Sequence, residues 1–218
     1  MDDYGQIQGV LFDLDGTLLD SEGLTDRAIA RVMQDKGLHI DVDCSRFHGV
    51  TWKETAETLI ALDAGFDDPD LEEKLQASFH REMLDVPPQE IPGAARFVRS
   101  VAGRCSTALV SSSHRESVTV SVHRLGLTDV FATWVCAGDV PRSKPEPACY
   151  LEAASRLEIS PQHCLVFEDS RAGVHAALAA GMPVIAIGKQ GAGARFASQA
   201  IDHFDELPMD FIASLGTP

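Results

Sequence analysis

The sequence predicts an α/β protein: a doubly wound parallel sheet with an inserted α-helical module. Three observations carry that prediction. Beyond residue 93, short continuous apolar runs alternate with stretches of helical periodicity, as expected for parallel strands buried on both faces and joined by helical crossovers. A similar run, "GVLF" at 9–12, stands alone near the start. Between them, residues 51–84 are helical and charged, with no strand-like alternation.

The elements follow in chain order. The first strand ends at Asp13. Residues 21–36 form a helix, with Leu24, Ala28 and Val32 in one row and Ile29 and Met33 beside it, and Gly37 ends it. The helical block that follows is broken at 65–69 by glycine and proline. "VPPQEIPG" at 86–93 is a stiff proline-rich connector and marks a domain boundary. Strands are predicted at 106–110, 133–137, 164–167 and 183–187, separated by helices at 115–125, 147–157 and 170–180. Each helix has an apolar stripe: Val118, Val122 and Leu125; Tyr150, Ala154 and Leu157; Val174, Ala177 and Leu178. "GKQGAG" at 188–193 lacks the spacing of a Walker phosphate loop and reads as a flexible loop after the last strand. The expected division is a core of residues 1–20 and 88–218 and a helical module of residues 21–87.

A chain of 218 residues suits one core carrying a smaller insertion. The apolar fraction of 44% and charged fraction of 23% are those of soluble globular proteins, and no apolar run approaches the roughly 20 residues of a membrane helix. The first residues, "MDDYG", have neither the basic start nor the apolar segment of a secretion signal, so a cytoplasmic location is expected. Cys44, Cys105, Cys136, Cys149 and Cys164 are odd in number and lack C-x-x-C spacing, as inert core thiols do. A net charge of −15 argues against binding to nucleic acid or anionic membrane. A monomer or weak dimer is expected. If the substrate is a small phosphorylated metabolite, this charge repels it at long range, so its attraction must come from a few local cations and a metal ion.

Ligands of a parallel α/β sheet bind beyond the carboxyl ends of the strands. The residues just after the apolar runs are Asp13 and Asp15, then Ser111, Ser112 and Ser113, then residues 139–144 ending in Lys144, then Glu168 with Asp169. Four carboxylates at one rim are tolerable around a hard divalent cation with oxygen ligands, and Mg2+ is the natural choice. Lys144 and the Ser111 hydroxyl can hold the remaining oxygens of a phosphate. Two aspartates two residues apart suggest a division of labour between a nucleophile and a proton donor that later activates water. A helix-capping role for Glu168 and Asp169 beside Ser170 is compatible with metal binding.

"DLDGT" at 13–17, "LVSSS" at 109–113, "SKPEP" at 143–147 and "FEDSRAG" at 167–173 resemble, in order, the four motifs of the haloacid dehalogenase superfamily. The resemblance implies that Asp13 forms an aspartyl-phosphate and that Asp15 is the general acid and base, giving its backbone carbonyl to the metal. It implies that Ser111 binds phosphate, that Lys144 steadies nucleophile and phosphate, and that Asp169 binds Mg2+ with Glu168 as ligand or supporting partner. An aspartate at position 15 resembles the phosphotransferring members rather than the true dehalogenases. "DGTLLDSE", the helical insertion, "FHGVT" at 47–51 and "PG" at 92–93 are similar to the subgroup of β-phosphoglucomutase, phosphoglycolate phosphatase and sugar-phosphate phosphatases, in which a helical cap closes over the site.

Departures from the pattern favour hydrolysis. Thr25 and Trp52 stand where β-phosphoglucomutase has a cap histidine and a cap arginine, so a phosphomutase is the second expectation. A phospho-accepting receiver module is a more distant one, against which Asp15 and the insertion speak. His48, Trp52 and Lys53 are the candidates for reaching substrate from the cap, and Arg142 and His114 flank the site. The substrate-binding set is expected to be Ser111, Ser112, His48 and Lys144.

Overall fold

The apolar runs become strands of one sheet in the computed structural model, which describes residues 4–189, 191, 193–208 and 210–216. β1 (Gly9–Phe12), β4 (Ser106–Val110), β5 (Thr133–Val135), β6 (Cys164–Glu168), β7 (Val184–Ile187) and β8 (Gln199–Ile201) lie in the order β5-β4-β1-β6-β7-β8, all parallel. Every residue of β1, β6 and β7 is buried, because helices cover both faces of the sheet. α4 (Ala94–Ala102) and α5 (Arg115–Arg124) share one apolar cluster with the sheet, and α6 (Ala148–Arg156) and α7 (Arg171–Ala179) share the other. Phe12 and Phe167 stack at 5.3 Å in the first cluster, with Phe97 of α4 edge-on to Phe167 at 5.2 Å.

The helical block forms α1 (Glu22–Asp35), α2 (Trp52–Leu62) and α3 (Leu71–Asp85) around its own apolar cluster, centred on Leu24, Ile29, Leu59, Phe66 and Leu75. Thr51 starts α2 with a capping box: its hydroxyl accepts from the Glu54 amide, and the Glu54 carboxylate accepts from the Thr51 amide. The block joins the sheet through a two-stranded antiparallel ribbon of β2 (Leu19–Asp20) and β3 (Gln89–Glu90).

Several elements differ from the sequence reading. The connector at 86–93 contains β3, since backbone groups at Gln89 and Glu90 pair with β2 rather than with water. α4, β8 and the short α8 (Phe211–Ser214) were not predicted. The strand expected at 133–137 stops at Val135. Leu178 is 47% exposed, so the buried row of α7 runs through Val174 and Ala177 without it. The loop expected at 188–193 lies partly outside the described residues, which do not include Gln190 and Ala192; Gly193 donates its amide to the Asp169 carbonyl at 2.9 Å. Among the described residues, no helix is long and apolar enough to cross a membrane.

Candidate active site

The register of the sheet gathers the acidic residues. β1 lies between β4 and β6, with Phe12 opposite both Leu109 and Phe167. The Asp13 amide therefore donates to the Phe167 carbonyl at 3.0 Å, and the Asp13 side chain emerges beside the end of β6. The next turn brings backbone against Asp169. Gly16 has φ +88°, and a Cβ there would lie 2.2 Å from Asp169 Oδ2, so only glycine allows this approach. Thr17 Oγ1 donates to Asp169 Oδ1 at 2.8 Å.

Lys144 arrives from the loop between β5 and α6 and is 1% exposed. Its ammonium donates to Asp13 Oδ1 at 2.5 Å, Glu168 Oε2 at 2.9 Å and the Val110 carbonyl at 3.3 Å. Burial alone would pull this ammonium down, but the Asp13 and Glu168 carboxylates outweigh it and hold Lys144 charged, well above the ordinary lysine range. Burial and then the Glu168 carboxylate raise Asp13 well above the ordinary carboxylate range, with Lys144 opposing them. Glu168 is the hub of this network. Its Oε1 accepts from the Asp169 and Ser170 amides and the Ser170 hydroxyl, and its Oε2 accepts from Lys144 and from the Tyr150 hydroxyl.

Asp15 is held apart from that network by three hydroxyls. Ser21 donates to Oδ1 at 2.9 Å, and Ser113 and Ser111 donate to Oδ2 at 2.8 Å and 3.3 Å. Ser113, whose role the sequence left open, thus contacts Asp15 directly. Ser112 does something else: its hydroxyl donates to the Gly49 carbonyl of the helical block at 2.8 Å. Ser21, Thr17 and Tyr150 were not singled out from the sequence for the site. Ser21 and Thr17 lie inside "DGTLLDSE", and a buried tyrosine hydroxyl, here hidden in an apolar helix row, needs a partner.

Two cavities meet at Ser112. A chamber of about 40 Å³ lies over Asp13 and Asp15, walled on the side of the helical block by Thr25, Phe47, Val50, Trp52 and Phe79. A cleft of about 460 Å³ runs from Ser111 outward between the helical block and the sheet, with Lys53, Glu54, Glu57, His114 and Arg142 among its walls. Trp52, Lys53, Arg142 and His114 therefore all border one cavity or the other. His48 borders neither; its ring is paired with Asp26 on α1 at 3.0 Å.

The residues present fit a hard cation. Asp13, Glu168 and Asp169 each offer a carboxylate oxygen within 4.8 Å of the others. Asp13 Oδ2 is buried with no hydrogen-bond partner, so one oxygen of the cluster lacks the donor that burial demands. The Glu168 oxygens already take five donors, which suits a supporting role beside the metal. The Asp15 carboxylate lies outside this group, in keeping with its backbone carbonyl being the implied ligand. The possible metal cluster contains no cysteine; Cys136 and Cys149 border the cleft, where burial pushes their thiols up to about 11, and that of Cys164 is pushed to about 12.

With this geometry in hand, comparison decides the family. The model of the haloacid dehalogenase-like hydrolases matches residues 10–187. The chain belongs to that family. A fructose-1-phosphate phosphatase of Escherichia coli is 32% identical to this hydrolase over 184 residues, 84% of this chain and 97% of that protein. A phosphorylated carbohydrates phosphatase of Thermotoga maritima is 33% identical over 183 residues, 81% of this chain and 82% of that protein. Among solved structures, β-phosphoglucomutase of Clostridium difficile has a TM-score of 0.82, covering 95% of this chain and 96% of its own at 21% identity, which marks a shared fold.

Proposed function

We propose that this hydrolase is a Mg2+-dependent phosphatase that releases phosphate from a small monoester, a sugar phosphate or sugar-acid phosphate, through an aspartyl-phosphate on Asp13. The observation that carries the reading is the buried Lys144–Asp13 pair at 2.5 Å beside a separately held Asp15. An oxygen of the Asp13 carboxylate attacks phosphorus and the bond to the leaving oxygen breaks, while Asp15 gives that oxygen its proton. Asp15 then takes a proton from water, the water oxygen attacks phosphorus, and the phosphorus–Asp13 bond breaks to regenerate the carboxylate. Lys144 orients Asp13 and offsets charge at the phosphoryl group, Glu168 fixes Lys144, and Ser111 supplies a hydroxyl to the phosphate.

Asp13, Asp169 and the Asp15 carbonyl would hold Mg2+, which supplies positive charge against the nucleophile and the phosphoryl oxygens. The reading takes residues 21–87 as a cap over a core of 1–20 and 88–218, acting as a monomer or weak dimer. The apolar cap wall of Phe47, Val50, Trp52 and Phe79 would limit bulk water at the phosphoryl group.

Hydrolysis is favoured over phosphomutase chemistry by what faces Asp13. Thr25 and Trp52 both line the chamber, and none of its lining residues is cationic. A mutase must bind a bisphosphate in two orientations, and the two positions where the resemblance puts its cap histidine and arginine are uncharged here, which leaves only the cations of the outer cleft, Lys53 and Arg142, for a second phosphate. The relatives at 32% and 33% identity that are named phosphatases point the same way. The test is Mg2+-dependent phosphate release across sugar phosphates, phosphoglycolate and phosphogluconate. Free phosphate without an isomerised product supports the reading, and an isomer formed only with a bisphosphate primer overturns it.

A further inference from the structure

Glu54, in the first turn of α2, faces two ways. Its Oε2 accepts from the Thr51 amide at 3.2 Å, from the Thr51 hydroxyl at 2.9 Å and, across the boundary with the sheet, from the Ser143 hydroxyl. Ser143 directly precedes Lys144, the residue that holds Asp13. Glu54 is only half-buried, and among the described residues its Oε1 takes no hydrogen bond. The residue lines the 460 Å³ cleft that ends at Ser111. The chamber directly over Asp13 and Asp15, at about 40 Å³, is much the smaller of the two cavities. Room for the non-phosphate part of an ester therefore lies in the cleft, along the wall that carries Glu54.

We propose that Glu54 is a specificity-determining and positioning residue: Oε1 accepts a hydrogen bond from a hydroxyl of the leaving group, while Oε2 holds Ser143 and thereby the loop that carries Lys144. The inference rests on the phosphatase reading above. A hydroxyl bound to a carboxylate makes a charge-assisted hydrogen bond, about twice as strong as a neutral one, so a hydroxylated leaving group is selected over one without hydroxyls. The same side chain ties recognition in the cleft to the core. Two other serines beside site residues also touch the cap: Ser112, which follows Ser111, donates to the Gly49 carbonyl, and Ser170, which follows Asp169, packs against Gly49 so closely that a Cβ there would lie 2.2 Å from Ser170 Oγ.

The experiment compares two esters in the full-length protein: a hexitol phosphate, whose leaving group is rich in hydroxyls, and p-nitrophenyl phosphate, whose leaving group has none. Glu54→Gln keeps the capping box, because glutamine serves at that position, and a thermal melt checks that α2 is intact. The expected result is that kcat/KM for the hexitol ester falls about tenfold relative to p-nitrophenyl phosphate. Ser143→Ala cuts only the tie to the core, and it should lower kcat for both esters by a common factor, with their ratio unchanged. An unchanged ratio in Glu54→Gln overturns the specificity role, and wild-type kcat in Ser143→Ala overturns the positioning role. Wild-type protein that releases phosphate from neither ester overturns the phosphatase reading itself, and this inference with it.

Discussion

The sheet and the helical block place their charges in opposite ways. In the sheet, Lys144, Asp13 and Glu168 are 1%, 3% and 0% exposed, and Lys144 pairs with both carboxylates. In the helical block the comparable network is at the surface: Lys36 and Lys74 both grip Asp68, at 2.6 and 2.7 Å, with the Lys74 side chain half-exposed. Arg27 and Arg31, both partly exposed, converge on Glu82, whose carboxylate is itself buried, so there the cationic ends alone reach solvent. A buried ionic network is costly to desolvate and is often no more stable than apolar packing, whereas a surface one contributes little either way. The buried network is therefore explained by chemistry, and the surface one by solubility and helix pairing. The helical block holds together instead through apolar contacts at its centre, such as Phe66 and Leu59, and meets the sheet through a few hydroxyl contacts and a two-residue ribbon.

The contrast can be broken most severely at Asp13. Asp13→Asn should bring phosphate release to background while circular dichroism and melting stay native-like; substantial turnover in that variant would sink the covalent mechanism. Asp15→Asn comes next, with kcat expected to fall about 10²–10⁴-fold, the usual worth of a general acid and base, measured as steady-state phosphate release at saturating Mg2+. Lys144→Met leaves Asp13 and Glu168 without their shared cation. Urea denaturation should show a loss of about 3–5 kcal/mol, the typical cost of removing one partner from a buried pair.

Metal sharpens the same contrast more gently. Mg2+ should raise the melting temperature of the wild type by mass action and leave that of Asp169→Asn unmoved; an equal rise in both would place the ion elsewhere. The smallest effect belongs to the cap surface. Hydrogen bonds from Lys36 and Lys74 hold the Asp68 carboxyl well below the ordinary carboxylate range. A depressed folded value means that its contribution is present above the ordinary carboxylate pKa and is lost as pH falls toward the depressed one. The Lys74 partner of Asp68 is half-exposed and screened by solvent, so hydrogen exchange in α1 and α3 should show a slight, salt-sensitive loosening at acid pH that Asp68→Asn removes.

Much of this was legible because local signals agreed with the final packing. The strand at 106–110, the helix row of Leu24, Ala28 and Val32, and the break at 65–69 all lie where periodicity puts them. α4 was legible too, since Ala94, Phe97, Val98 and Val101 follow helical spacing, yet no element was assigned between the connector and the strand at 106–110. β2, β3 and β8 have two or three residues each and exist only because a partner strand supplies hydrogen bonds, which no local propensity announces. Leu178 looked buried because a stripe drawn from spacing alone does not say how wide the neighbouring surface is.

By itself, the sequence determined the alternation that makes a parallel sheet, the run of acids at strand ends, and the order of motifs that marks the family, because these depend on residue type and spacing alone. Only the tertiary structure decided which hydroxyls hold Asp15, that Glu168 serves Lys144 and Tyr150, that Ser112 reaches the cap while Ser113 reaches the acid, and that His48 pairs with Asp26 outside both cavities. Each of those is a contact between segments far apart in the chain. A short polar side chain has several partners within reach of its rotamers, and the packing of the surrounding elements selects one.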